Sequence, residues 1–88
     1  MSEPFVELFT HPACNGCQTV LAELSRLAGE GRLRLKVHSL ATSEGQRFAE
    51  SIGVTAVPTV RLDGSLREVQ GRRDLAGILE ELAIRDRP

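Results

Sequence analysis

Phe5-Val6-Glu7-Leu8-Phe9-Thr10-His11-Pro12-Ala13-Cys14-Asn15-Gly16-Cys17 is the stretch on which the reading of this chain turns. Phe5–Phe9 is a short apolar-rich run that reads as a strand. Thr10-His11-Pro12-Ala13 breaks it. From about Asn15 to Ala28, Cys17, Val20, Leu21, Leu24 and Ala28 then recur along one face of a helix, and Gly29 and Gly31 stop that helix. A strand feeds into a helix, and the two cysteines sit at the junction.

Outward from there, Leu33, Leu35 and Val37 alternate with Arg34, Lys36 and His38, the pattern of a half-buried strand. Thr42 and Ser43 are both candidate N-caps for a second helix, and Ser43 with Gln46 fits a capping box. Phe48, Ala49 and Ile52 form the apolar face of that helix, and Gly53 ends it. Thr59-Val60-Arg61-Leu62 is a third strand, Asp63-Gly64 a hairpin turn, and Leu66–Val69 a fourth strand closed by Gly71. Asp74 is a candidate N-cap for a last helix whose stripe is Leu75, Ile78, Leu79 and Leu82. The tail Arg85-Asp86-Arg87-Pro88 is expected to fray. The order β-α-β-α-β-β-α makes the first two strands parallel through a right-handed crossover and the last two a hairpin. The expected fold is α/β: one domain, residues 1–88, with a four-stranded mixed sheet flanked by helices.

Composition fits one modest core. The chain has 88 residues with a hydrophobic fraction of 41%, so a single domain is expected. Its 11 basic and 12 acidic residues nearly cancel, and no basic stripe suits nucleic acid. No apolar run approaches the ~20 residues of a membrane span, and Glu3, Pro4 and Glu7 interrupt any signal-peptide core. A cytoplasmic monomer is the default expectation. In that compartment thiols stay reduced, so the cysteine pair reads as redox-active or metal-binding.

The spacing of the pair favours redox chemistry. Three positions bring both side chains onto the same side of the first helical turn, close enough to join in a small disulfide ring. Cys14 precedes the helix, beside unsatisfied N–H groups and the positive end of the dipole. Cys17 continues into the apolar stripe and should be buried. The exposed thiol would attack a substrate disulfide and the buried one would resolve the mixed disulfide. Lowering a thiol pKa from about 8.5 to about 7 takes roughly 2 kcal/mol, whereas a helix end typically supplies ~0.3–1. A hydrogen bond from Cys17 or a nearby cation should supply the rest. His11 is the local candidate, or it merely caps the end of the strand. The alternative for the pair is half of a zinc site. That would need both His11 and His38 as further ligands, and no second C-x-x-C exists.

Val57-Pro58-Thr59 introduces the third strand. Proline donates nothing to a sheet ladder, so its place there needs a reason. A cis Val57–Pro58 bond, which costs an X–Pro unit only about 0.5–1 kcal/mol, is one. It would leave Val57's backbone free for an extended substrate segment. An ordinary trans proline at a strand start is the other.

Taken together, these segments resemble the thioredoxin superfamily along nearly the whole chain. Val6 to Cys17, with Phe9, Thr10, His11 and Pro12 shortly before the motif, is similar to glutaredoxins and glutaredoxin-like redoxins. Ile52 to Val60, followed by Asp63-Gly64 and Gly71, is more similar to thioredoxin. The resemblance implies the thioredoxin fold, a nucleophilic Cys14, a resolving Cys17, and a cis Pro58 lining a substrate groove with Pro12, Val57 and Gly71. The chain also departs from both groups. Ala13 stands where thioredoxins carry tryptophan. Asn15-Gly16 replaces the dipeptides usual in either group. The buried acid that serves the second cysteine of thioredoxins has no clear counterpart, since the facing of Glu7 is open. No tyrosine is present for glutathione, although Arg72 and Arg73 could hold a glutathione carboxylate.

The expected function is a dithiol–disulfide oxidoreductase that reduces protein disulfides. It would need no bound cofactor or metal beyond the redox-active Cys14–Cys17 disulfide. A flavoprotein disulfide reductase or glutathione would recharge it. The alternative is a binding module of the same fold that holds a metal, an iron–sulfur cluster or a protein partner with little turnover.

Overall fold

β1 (Phe5–Thr10) is the strand around which the rest is arranged, because both its faces are covered: Val6, Glu7, Leu8 and Phe9 are all buried. The computed structural model describes residues 3–85. After β1 come α1 (Cys17–Gly29), β2 (Arg34–Ser39), α2 (Ser43–Ser51), β3 (Thr59–Leu62), β4 (Ser65–Glu68) and α3 (Arg72–Arg85), in the order the sequence predicts. The sheet has four strands in the order β2-β1-β3-β4. β2 runs parallel to β1, with Phe9 opposite His38; β3 runs antiparallel to β1 and to β4. The expected fraying of the tail falls, from residue 86 on, outside the described residues.

Strand alternation divides the sheet into two unequal faces. Val6 and Leu8 of β1 and Val60 and Leu62 of β3 pack against α1 (Val20, Leu24, Leu27) and α3 (Leu75, Ile78, Leu82). Phe9 packs on the opposite face, against Ala49 of α2 and Val54, with Phe48 and Ile52 partly buried beside them. The predicted stripes of all three helices are thus the faces that meet the sheet.

Three local expectations are corrected. Val37, taken as an inward residue of β2, is 41% exposed. It lies on an edge strand, where the helical cover stops. The cap of α2 is Thr42, not the Ser43–Gln46 box. The Thr42 hydroxyl accepts the Gly45 N–H at 3.0 Å and donates to the Ser39 carbonyl at 2.9 Å. Gly45 is required there, because a Cβ would collide with that same carbonyl. Asp74, taken as an N-cap, lies inside the first turn of α3 and reaches back to accept the Gln70 N–H at 2.8 Å. By contrast the hairpin is as expected, with Asp63 (φ 52°) and Gly64 (φ 79°) both left-handed, the pairing that matches strand twist.

The edge strands are short and charged. All four residues of β4 are exposed. On β2, Arg34 lies over the ring of Phe5 at 5.4 Å, so its guanidinium covers an apolar group that is itself 43% exposed.

Candidate active site

Cys14 and Cys17 are joined by a disulfide, with their Cα atoms 5.4 Å apart. The two sulfurs are unequally accessible. Cys17 is the first residue of α1 and is 2% exposed, whereas Cys14, in the preceding turn, is half-buried. The helix begins two residues later than the periodicity suggests. Its N-cap, Gly16, has no side chain to offer the first N–H groups, and the first turn carries no acid. These donors have no side-chain cap at the end of the helix nearest Cys14, where a thiolate would be favoured.

His11 shapes the turn that presents Cys14. Its carbonyl accepts the Cys14 N–H at 2.9 Å and its Nδ1 accepts the Ala13 N–H at 3.0 Å. His11 thus closes the turn through both its backbone carbonyl and its ring. It also borders, with Pro12, Thr10 and Leu21, a cavity of about 220 Å³ that both cysteines line.

The Val57–Pro58 bond is cis. The Pro58 ring lies opposite the C-N-G-C motif: a Cβ built on Gly16 would meet Pro58 Cδ at 3.9 Å. Pro58's carbonyl accepts the Val69 N–H at 3.0 Å, while Val57's own N–H and C=O have no hydrogen-bond partner among the described residues. Beside this strand start, a groove of about 270 Å³ runs from Gly16 and Thr19 to Gly71 and Arg72, over Val20, Val69 and Leu75. Arg73 is not part of it. It borders a different cleft, with Arg67, Glu68 and Asp74.

Glu7 points away from the cysteines. It shares the α2 face with Phe9, while its neighbour Leu8 faces α1. Its carboxylate takes a hydrogen bond from Arg61 at 3.1 Å and pairs with His38 Nε2 at 2.8 Å. The His38 ring stacks on Phe9 at 4.9 Å and meets Phe48 at 4.8 Å. His38 is therefore committed across the sheet from Cys17, not gathered with His11 around a metal. Among the described residues no cluster of three or more His, Cys, Asp and Glu is placed to hold a metal ion. The sequence signal for this ion cluster was faint: Glu7 sits in an apolar strand, but its partners lie far off in the chain.

A disulfide across a strand–helix junction, opposite a cis proline on a mixed sheet, defines a thiol–disulfide oxidoreductase of thioredoxin-like architecture. The comparisons with known proteins agree. No family model matches. The chain is 30% identical over 66 residues to thioredoxin of Methanocaldococcus jannaschii, covering 75% of this chain and 78% of that protein. Thioredoxin 1 of Thermosipho africanus shares its fold with a TM-score of 0.64 at 19% identity, over 94% of this chain and 99% of that one. A protein disulfide oxidoreductase of Aeropyrum pernix superposes with a TM-score of 0.74 at 18% identity, over 98% of this chain and 41% of that one. The chain belongs to the thioredoxin family. Among the described residues no helix is long and apolar enough to cross a membrane.

Proposed function

We propose that this chain reduces disulfides of other proteins, with Cys14 as nucleophile and Cys17 as resolving thiol. The observation that carries the reading is the asymmetry of the pair, a half-buried Cys14 beside an uncapped helix start and a buried Cys17 within it. In the reduced protein the Cys14 thiolate attacks one sulfur of a substrate disulfide. A Cys14–substrate disulfide forms, the substrate bond breaks, and the second substrate sulfur leaves as a thiolate. The Cys17 thiolate then attacks Cys14 Sγ, expels the first substrate sulfur and restores the Cys14–Cys17 disulfide. Two electrons pass to the substrate. A flavoprotein disulfide reductase or glutathione returns them in a cytosolic setting. Val57's unpaired backbone and Pro58 would hold the substrate segment, with Pro12 and Gly71 as the flanks of its path.

Insulin-disulfide reduction tests this. Cys14→Ser should abolish turnover, and Cys17→Ser should accumulate mixed disulfides visible on non-reducing gels. Full turnover by Cys14→Ser would sink the assignment. Turnover measured separately with thioredoxin reductase/NADPH and with glutathione identifies the reductant. An equilibrium potential near about −270 mV is expected for a reductant, and one near about −120 mV would mark an oxidant instead.

A further inference from the structure

We propose that the groove between Gly16 and Gly71 selects substrate segments carrying an acidic side chain near the attacked disulfide, with Arg72 receiving the carboxylate; this rests on the reading of the chain as a reductase of protein disulfides. The groove has an apolar floor, Val20, Val69 and Leu75, and among the described residues that line it Arg72 is the only ionisable one. Arg72 has no ion-pair partner among the described residues, whereas Arg26, Arg61 and Arg67 each hold a carboxylate. The acids close to it in sequence are engaged by another residue: Asp74 accepts the Gln70 N–H, and Glu68 accepts from the Gln70 side chain. A guanidinium without a carboxylate on the wall of an apolar groove is complementary to one that arrives with the substrate.

The size of the groove indicates what brings the carboxylate. About 270 Å³ lies at the small end of the ~300–1,000 Å³ range of ligand pockets. It suits one or two side chains of an extended segment. Pro58 links the groove to the disulfide, since its ring lies by Gly16 and its carbonyl binds Val69. A segment pairing with Val57 beside it would run between Cys14 and Arg72.

The test is steady-state kinetics of the full chain on three disulfide-linked peptides that differ only in an acidic, neutral or basic residue next to the cysteine. Expected kcat/KM falls in that order by about two- to five-fold per step, the worth of a solvent-accessible charge pair. The steps should shrink toward unity at about 0.5 M salt. R72E should reverse the order. R47E, the same charge change on α2, should leave both the order and the rates as they are. An unchanged order in R72E, or an equal shift in R47E, overturns the proposal. A fourth substrate, the mixed disulfide of the neutral peptide with glutathione, separates the sources of the carboxylate. If R72E slows that substrate alone and leaves the peptide order intact, the groove serves glutathione and the proposal fails. Absence of turnover on every substrate would defeat the reductase reading itself, and equal turnover on all of them would defeat this inference only.

Discussion

Glu7 and Leu8 are neighbours in the chain and opposites in the fold. Leu8 faces α1, the helix that begins at Cys17; Glu7 faces α2, where its carboxylate joins His38 and Arg61. Composition and spacing could not orient Glu7, because a carboxylate in a short apolar run is compatible with either face until its partners are known. Those partners are 31 and 54 positions away. The same non-local pairing explains why alternation along β2 places His38 with the outward residues although its side chain is only 13% exposed. Cys14, Cys17 and Pro58 were legible because each announces itself through local chemistry, a three-residue spacing or a missing N–H. Removing the charge of Glu7 should therefore show in stability. Glu7→Gln leaves two cationic or polar partners under-satisfied in a largely buried place, and a loss of about 2 kcal/mol is expected in urea unfolding. A change within about 0.5 kcal/mol would mean the cluster is dispensable.

At the scale of elements, the order β-α-β-α-β-β-α was readable because each segment carries one clear period and a Gly, Pro or Asp-Gly marks most boundaries. What escaped was which of two adjacent hydroxyls starts α2. Ser43 and Thr42 are chemically interchangeable as caps, and the choice is made by Ser39, whose carbonyl binds the Thr42 hydroxyl. Two substitutions separate the alternatives. Thr42→Ala should cost about 1 kcal/mol, whereas Ser43→Ala should leave the unfolding midpoint nearly unchanged. Gly45 fixes how closely α2 can approach β2. Gly45→Ala should cost about 1–3 kcal/mol, because the backbone must shift to relieve the collision with the Ser39 carbonyl. A stabilised Gly45→Ala protein, the usual outcome of that change at an unstrained helical position, would contradict the close approach.

For the whole molecule, the two faces of the sheet differ in how much apolar surface they bury. α1 and α3 share a continuous cluster with β1 and β3, while on the other face Phe9, Ala49 and Val54 are the fully buried apolar members. Elements with fewer buried contacts open first. Amide hydrogen exchange should thus show α2 less protected than α1 and β1, and equal protection would mean that the two faces unfold as one unit. The lateral edges of the sheet present a separate matter. β2 and β4 each leave one side free for another strand, an invitation to self-association that charged side chains discourage. Arg34 does this twice over, charging the edge of β2 and lying across the exposed ring of Phe5. Its loss would bare Phe5, itself 43% exposed, and leave Lys36 as the remaining cation on that face of β2. Arg34→Ser should then self-associate more strongly with rising concentration than the parent chain in sedimentation velocity, and equal behaviour of the two would show that the edge needs no such guard. That result would place control of self-association at a residue far from the sulfurs, where colloidal behaviour can be altered without touching the chemistry.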